Sequence, residues 1–224
     1  GPAPRTVYRD NIVHYNWHWF WRWGTGELLN NATHEVDICR WALGLDYPDK
    51  VSAMGGRLHH EGDDWEFYDT QVVNYQYGDD KLITWEGKSS NGMKPYKMGR
   101  GALIQGSEGS FILHRNGYEM YDLSGEMIDR KEETGKSETT GTKGSGSLDV
   151  LHMYNFLEAI RRGAGLNAPV DDGAISVNLC HLGNIAQKVG RTIQTDNITG
   201  NVINDSEAIA LMRREYEPGW ELSL

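Results

Sequence analysis

Between residues 50 and 131 apolar and polar side chains alternate in short runs broken by turn residues, the period-two signature of half-buried strands. Strands are expected at 50–59, 66–77, 81–89, 101–106, 110–115 and 118–122. Asp79-Asp80 after Gly78 supplies one turn, and Asn116-Gly117 a stronger one, because Asn-Gly suits the type I′ hairpin. Gly55-Gly56 inside the first strand suggests a bulge. Segments of helical period flank this block. One covers about 31–43, and two more cover about 148–162 and 173–194. A short last helix starts near Asn204-Asp205, with Glu207 placed for a capping box. Strands and helices segregated in this way make the chain α+β: an open, largely antiparallel sheet covered on one face by helices. The 224 residues are read as a single domain, with an irregular lead-in at 1–16 and a polar, flexible loop at 133–147.

The net charge of −10 and the pI near 5.2 exclude a nucleic-acid or anionic-membrane partner, since phosphate binding needs a basic surface. No apolar run is long enough to span a bilayer. The start, Gly-Pro-Ala-Pro, carries no signal peptide and reads as the interior or cut edge of a longer protein, so it names no compartment, cytoplasmic or exported. Cys39 and Cys180 sit on the apolar sides of predicted helices and read as buried free thiols, outside any metal pattern.

The stretch 17–44 carries most of the chemistry. Trp17, Trp19, Trp21 and Trp23 alternate, so a strand here places four indoles on one face, as a packed core or as a platform for a ligand. A Gly-Thr-Gly turn follows, then the helix that ends at Gly44, a good left-handed cap. On that helix Asn30, His34, Asp37 and Trp41 fall within about 60° of arc, while Ala32, Val36, Cys39 and Leu43 gather on the opposite side. An imidazole between an amide and a carboxylate makes a candidate active-site wall.

The string GTGELLNNATHEVDICRWALG resembles the helix that opens the C-terminal domain of the glucose–fructose oxidoreductase / inositol dehydrogenase family (Gfo/Idh/MocA), common among bacterial oxidoreductases. GRGALIQGSEGSFIL resembles that family's sheet segment, and HMYNFLEAIRRG, LCHLGNIAQKVGR and INDSEAIALMRREYEPGW resemble its closing helices. The resemblance implies a chain corresponding to the substrate-binding and oligomerisation half of a dehydrogenase. It places the N-terminal dinucleotide-binding domain, with its glycine turn and Glu-Lys-Pro motif, outside these residues. Met93-Lys94-Pro95 is a decoy for that motif, since it falls in a loop after the third strand.

The resemblance further implies that His34 is the catalytic histidine, facing a nicotinamide ring. Histidine suits the task of taking an alcohol proton, because its ordinary pKa lies near the working pH. Four residues earlier, where the family often has aspartate, this chain has Asn30, which orients a hydroxyl but shares no proton. Asp37 either orients the imidazole or caps and solvates the helix. Arg22, Trp23 and Trp19 are candidate substrate contacts beside the motif, against simple packing. Lys88, Tyr96 and Lys97 at a strand-to-loop transition are further candidates against a solvated surface, and His181 on a mostly apolar helix is another, against a satisfied core histidine. His59-His60-Glu61 with Asp63 and Asp64 is read as an exposed hairpin end, not a metal site.

The expected function is a domain of an NAD- or NADP-dependent oxidoreductase acting on a sugar, cyclitol or related polyol. On this reading the chain alone is inactive and binds no cofactor, and it assembles into a homodimer or tetramer through its sheet face. The competing class is a non-catalytic carbohydrate-binding or assembly domain.

Overall fold

The computed structural model describes residues 2–114, 117–132 and 148–221, and they divide into two compact units. The first unit comprises residues 1–91 and 174–224, and the second residues 92–173.

The first unit is built on a five-stranded antiparallel sheet. Its strands are β1 (Lys50–Gly56), β2 (Thr70–Tyr77), β3 (Lys81–Lys88), β8 (Ile193–Thr195) and β9 (Val202–Ile203), in the order β3-β2-β1-β8-β9. Burial along β2 alternates without a break, so Val73, Tyr75 and Tyr77 face the core while Val72, Asn74 and Gln76 face away. Helix α1 (Thr33–Leu43) with the turn that leads into it and helix α3 (Val170–Val189) supply the rest of that core, through Leu28, Ala32 and Val36 on one side and Leu179, Leu182, Ile185 and Ala186 on the other. Gly183 lets α3 approach closely, because a Cβ there would lie 2.7 Å from Leu28 and 2.9 Å from Val73. Burying this many large side chains fully, at about 1.5–3 kcal/mol each, is the main force holding helices to sheet.

The second unit holds a separate four-stranded antiparallel sheet: β4 (Ala102–Gln105), β5 (Ser110–His114), β6 (Gly117–Tyr121) and β7 (Met127–Glu132), paired in chain order. It also carries helix α2 (Leu148–Arg162). The short helix α4 (Ser206–Ala210) closes the first unit.

Several sequence expectations need correction. The strands form two sheets where one is expected, and β8 and β9 add to the first of them beyond the expected strand block. The helix expected at 173–194 stops at Val189, where Gly190 turns left-handed (φ 68) and donates to Ala186 O. Ile193 is then free to enter the core as part of β8. Gly55-Gly56 makes no bulge, since the β1–β2 register runs unbroken from Lys50↔Gln76 to Gly56↔Thr70. The glycine is needed instead because a Cβ at position 55 would press on the Thr70 carbonyl across the strand pair. In the expected capping box only Asp205 caps, accepting from Ala208 N, while Glu207 pairs with Arg191. Asn116 of the Asn-Gly turn and the loop at 133–147 lie outside the described residues, although β5 and β6 do pair at His114↔Gly117.

The tryptophan run is not a strand. His14–Trp19 forms a 3-10 helix, followed by turns in which Trp23 N and Gly24 N both donate to Phe20 O. A strand needs a neighbouring edge, and this segment's backbone is met instead by scattered partners: Trp19 O accepts from the Glu66 and Phe67 N–H groups, Trp21 N donates to Glu66 Oε2, and Arg22 O accepts from Arg214. The indoles therefore scatter: Trp19 is buried, Trp21 and Trp23 are half-buried, and Trp17 is exposed.

Candidate functional site

The candidate site lies on the first helix of the first unit. The helix begins a turn earlier than its periodicity suggests, through a π-helical turn at Leu28–Ala32 that runs directly into α1. The Thr33 hydroxyl donates to Leu29 O (2.8 Å), satisfying a carbonyl inside the widened turn. Such turns recur at functional sites, because the extra residue re-aims the side chains around it. The C-terminus matches expectation: Gly44 is left-handed (φ 63) and its N–H returns to the last turn.

The helix ends are positioned by close packing. A Cβ on Gly24 would fall 2.3 Å from the His18 backbone, and one on Gly26 (φ 66) would meet the Phe67 ring at 2.6 Å. The Gly-Thr-Gly turn is thus closely packed against His18 and Phe67, with no room for a side chain at either glycine. The expected apolar stripe is observed, with Ala32 and Val36 fully buried and Cys39 and Leu43 half-buried.

The polar stripe divides. His34 is exposed. Asn30 is half-buried and bonded on both sides, accepting on Oδ1 from the Tyr15 hydroxyl (2.9 Å) and donating from Nδ2 to Glu27 Oε2 (3.4 Å). Asp37 instead turns to α3, where its Oδ1 accepts from Ser176 Oγ. Ser176 in turn accepts from Nε of Arg40 (3.1 Å), whose guanidinium also donates to Leu45 O and Asp46. So Tyr15 from the lead-in is bonded to Asn30, His34 follows four residues later on the same helix, and Asp37 ties two helices together.

Of the candidate substrate contacts, Trp19 has no free face, being stacked on Trp65 (5.1 Å, 2° between planes) with His18 at 4.7 Å. Trp23 packs edge-on against Phe20. Arg22 is exposed, but its guanidinium donates to the carbonyls of Pro4 and Arg5 and so pins the lead-in. Lys88 pairs with Glu86 at the end of β3. Tyr96 and Lys97 belong to the second unit, in a left-handed turn (φ 51 and 62). His181 is half-buried on α3, and burial pushes its pKa down, which keeps the imidazole neutral.

His59 and His60 do not converge on a metal. Their backbone N–H groups, with that of Leu58, bind the buried carboxylate of Asp69. Among the described residues no cluster of His, Cys, Asp and Glu could hold a metal ion, and no helix is long and apolar enough to cross a membrane. Tyr15, Ser176 and Asp69 act through bonds between residues distant in sequence that no local pattern marks, whereas Glu27 meets Asn30 at the local i,i+3 spacing.

This chain matches the family model described as oxidoreductase family, C-terminal alpha/beta domain (GFO_IDH_MocA_C), over residues 4–195. It belongs to the Gfo/Idh/MocA family. The fold agrees with solved oxidoreductases and dehydrogenases at low sequence identity. Levoglucosan dehydrogenase, in complex with NADH and levoglucosan, is 16% identical with a TM-score of 0.62, over 83% of this chain and 54% of that one. The WlbA dehydrogenase from Bordetella pertussis, in complex with NADH and UDP-GlcNAcA, is 16% identical with a TM-score of 0.52, over 87% and 52%. An oxidoreductase from Agrobacterium radiobacter, in complex with NAD+, L-tartaric acid and magnesium, is 14% identical with a TM-score of 0.55, over 73% and 47%. The Gfo/Idh/MocA chain described here therefore spans about half the length of these structures. No curated protein matches its sequence significantly.

Proposed function

We propose that this chain is the substrate-binding and oligomerisation half of an NAD- or NADP-dependent oxidoreductase acting on a secondary alcohol of a sugar, cyclitol or related polyol. The observation that carries the reading is the exposed His34, one turn from Asn30 on a helix anchored in the core. An open imidazole can meet a substrate hydroxyl and take its proton as the carbon is oxidised. Asn30 presents an amide to the same face and orients the hydroxyl without titrating. A nicotinamide, when bound, accepts the hydride. The chain spans about half the length of the solved structures it resembles, and on its own it is expected to be inactive and to hold no dinucleotide. Neighbours solved with levoglucosan and UDP-GlcNAcA support a sugar-like substrate.

Assembly as a homodimer or tetramer is assigned to the sheet face turned away from α1 and α3. Met54 and Leu82 stand exposed there and Val72 half-exposed, apolar area that a second copy would bury.

The test is His34→Ala in a protein that carries the dinucleotide-binding half. The expected result is a loss of about 100- to 10,000-fold in kcat. Hydride transfer at the unchanged rate sinks the role of His34, and sugar binding with no hydride transfer in any variant supports a non-catalytic carbohydrate-binding domain.

A further inference from the structure

Three amide side chains occupy the corner of the core where α3 passes the N-terminal end of β2. Gly183 sits over the strand, its built Cβ 2.9 Å from Val73 Cγ1 and 3.0 Å from Tyr75 Oη. One turn on, Gln187 Nε2 donates to Gly55 O (3.1 Å). Gly55 is the register partner of Gln71, and a Cβ built on it would lie 2.7 Å from Gln71 Cα. Gln71 precedes Val73 on the buried face of β2 and is 3% exposed. Asn184, 2% exposed, lies three residues before Gln187 on α3. Its Nδ2 donates to Thr25 O (2.7 Å), in the turn that leads to the His34 helix.

The bonds to Gly55 and Thr25 fix two of the three orientations, because a carbonyl only accepts and so must face an amide nitrogen. Gln187 Oε1 and Asn184 Oδ1 are therefore turned away from those carbonyls. Both are shut off from solvent with no hydrogen-bond partner among the described residues, and the same holds for Gln71 Nε2. One donor and two acceptors are thus buried at the same corner, none within bonding reach of another. Such groups are costly to bury unless something satisfies them. An ion of either sign does not suit the set, since the Gln71 N–H repels a cation and the two amide oxygens repel an anion. A water molecule suits it, accepting one bond and donating two, and internal waters make about three bonds each.

We propose that Gln71, Asn184 and Gln187 form a binding site for an internal water, which accepts from Gln71 Nε2 and donates to Asn184 Oδ1 and Gln187 Oε1. The water ties β2 to α3. Through Asn184 it also steadies the Thr25 carbonyl at the entry to the helix that carries His34. The site is independent of the proposed chemistry and needs neither substrate nor nicotinamide.

The test is water-selective NMR on the isotopically labelled 224-residue chain. The Gln71 side-chain amide is expected to show a cross-peak to a water that stays bound for as long as the protein tumbles. Gln187→Met keeps the side-chain length and removes one acceptor, so this cross-peak should be lost while the Gln71 backbone signal persists. Tyr75→Phe removes the buried hydroxyl against Gly183, whose exchanging proton can imitate a water, and the cross-peak should survive it. Absence of the cross-peak in the parent overturns the site. A hydrogen-bond coupling directly from Gln71 Nε2 to Asn184 or Gln187 also overturns it, because the amides then satisfy one another. So does a cross-peak that survives Gln187→Met or disappears with Tyr75→Phe. Should Gln187→Met fail to fold, the parent spectra and Tyr75→Phe still decide.

Discussion

Ser176 on α3 donates its hydroxyl proton to Asp37 on α1, so the carboxylate one turn beyond His34 joins the two helices. The hydroxyl is buried and simultaneously accepts from Arg40, so it is the joint of a three-member network between the two helices that cover the sheet. Asp37 is thereby a positioning residue for α1, while His34 is exposed and Asn30 is half-buried.

Ser176→Ala should therefore cost stability. It removes the Ser176 bonds to the buried Arg40 and to Asp37, and removing one partner of a buried polar pair costs about 1–3 kcal/mol. Urea denaturation of the variant should show this as a lower midpoint at unchanged slope. A midpoint equal to the parent's would mean that the network contributes nothing.

Asp69 makes a pH-dependent contribution. Burial alone would raise its pKa, but the N–H groups of His60 and His59, the Thr70 hydroxyl and the Leu58 N–H outweigh burial and hold the carboxyl down at about 2. A depressed folded-state pKa gives stability that is fully present above the unfolded carboxylate value. That stability is lost as pH falls from about 4 towards 2. Asp69→Asn should lose on the order of 2 kcal/mol at neutral pH and show a flatter stability profile across that acid window. Parallel profiles for parent and variant would contradict the assignment.

Gly24→Ala should be among the most damaging small substitutions. The added Cβ falls 2.3 Å from His18 backbone atoms, which cannot rotate away as a flexible side chain would. A cost of about 3 kcal/mol or more is expected, with movement of the neighbouring Trp19–Trp65 stack. Gly62→Ala is the control, since nothing lies within 4 Å of its built Cβ, and it should stay within about 0.5 kcal/mol of the parent. Thermal unfolding with tryptophan fluorescence reads both, and equal melting temperatures would refute the packing argument.

Both thiols should be inert in the native protein. Burial pushes Cys39 up to about 11 and Cys180 up to about 12, with the nearby Glu35 charge adding to the rise at both and the Thr33 hydroxyl opposing it at Cys180. Little thiolate is left at neutral pH to attack an alkylating agent. Iodoacetamide should label neither cysteine before denaturation and both after it. Rapid native labelling of Cys180 would show that α3 opens from α1.

The sequence alone carried what is local. The 3.6-residue spacing of Ala32, Val36, Cys39 and Leu43 marks the buried side of α1, and Gly44 marks its end, because helix burial and termination depend on neighbours within a few residues. Alternation likewise marks β2 and β3, whose hairpin closes over Gly78–Asp80. The same local reasoning misreads Trp17–Trp23, where alternation occurs without a strand edge to pair with. It also runs past Gly190, although a glycine in that position is a helix stop.

Tertiary structure decided the rest. The Asp37–Ser176 bond joins residues 139 apart, and Asp69 gathers amides 9 to 11 positions earlier in an irregular loop. The Tyr15–Asn30 pair brings the lead-in onto the helix. Asn30, His34 and Asp37 were legible as one polar stripe. Which of them stays open was not, because exposure depends on what packs against the helix, and α3 enters only after more than a hundred residues of intervening chain.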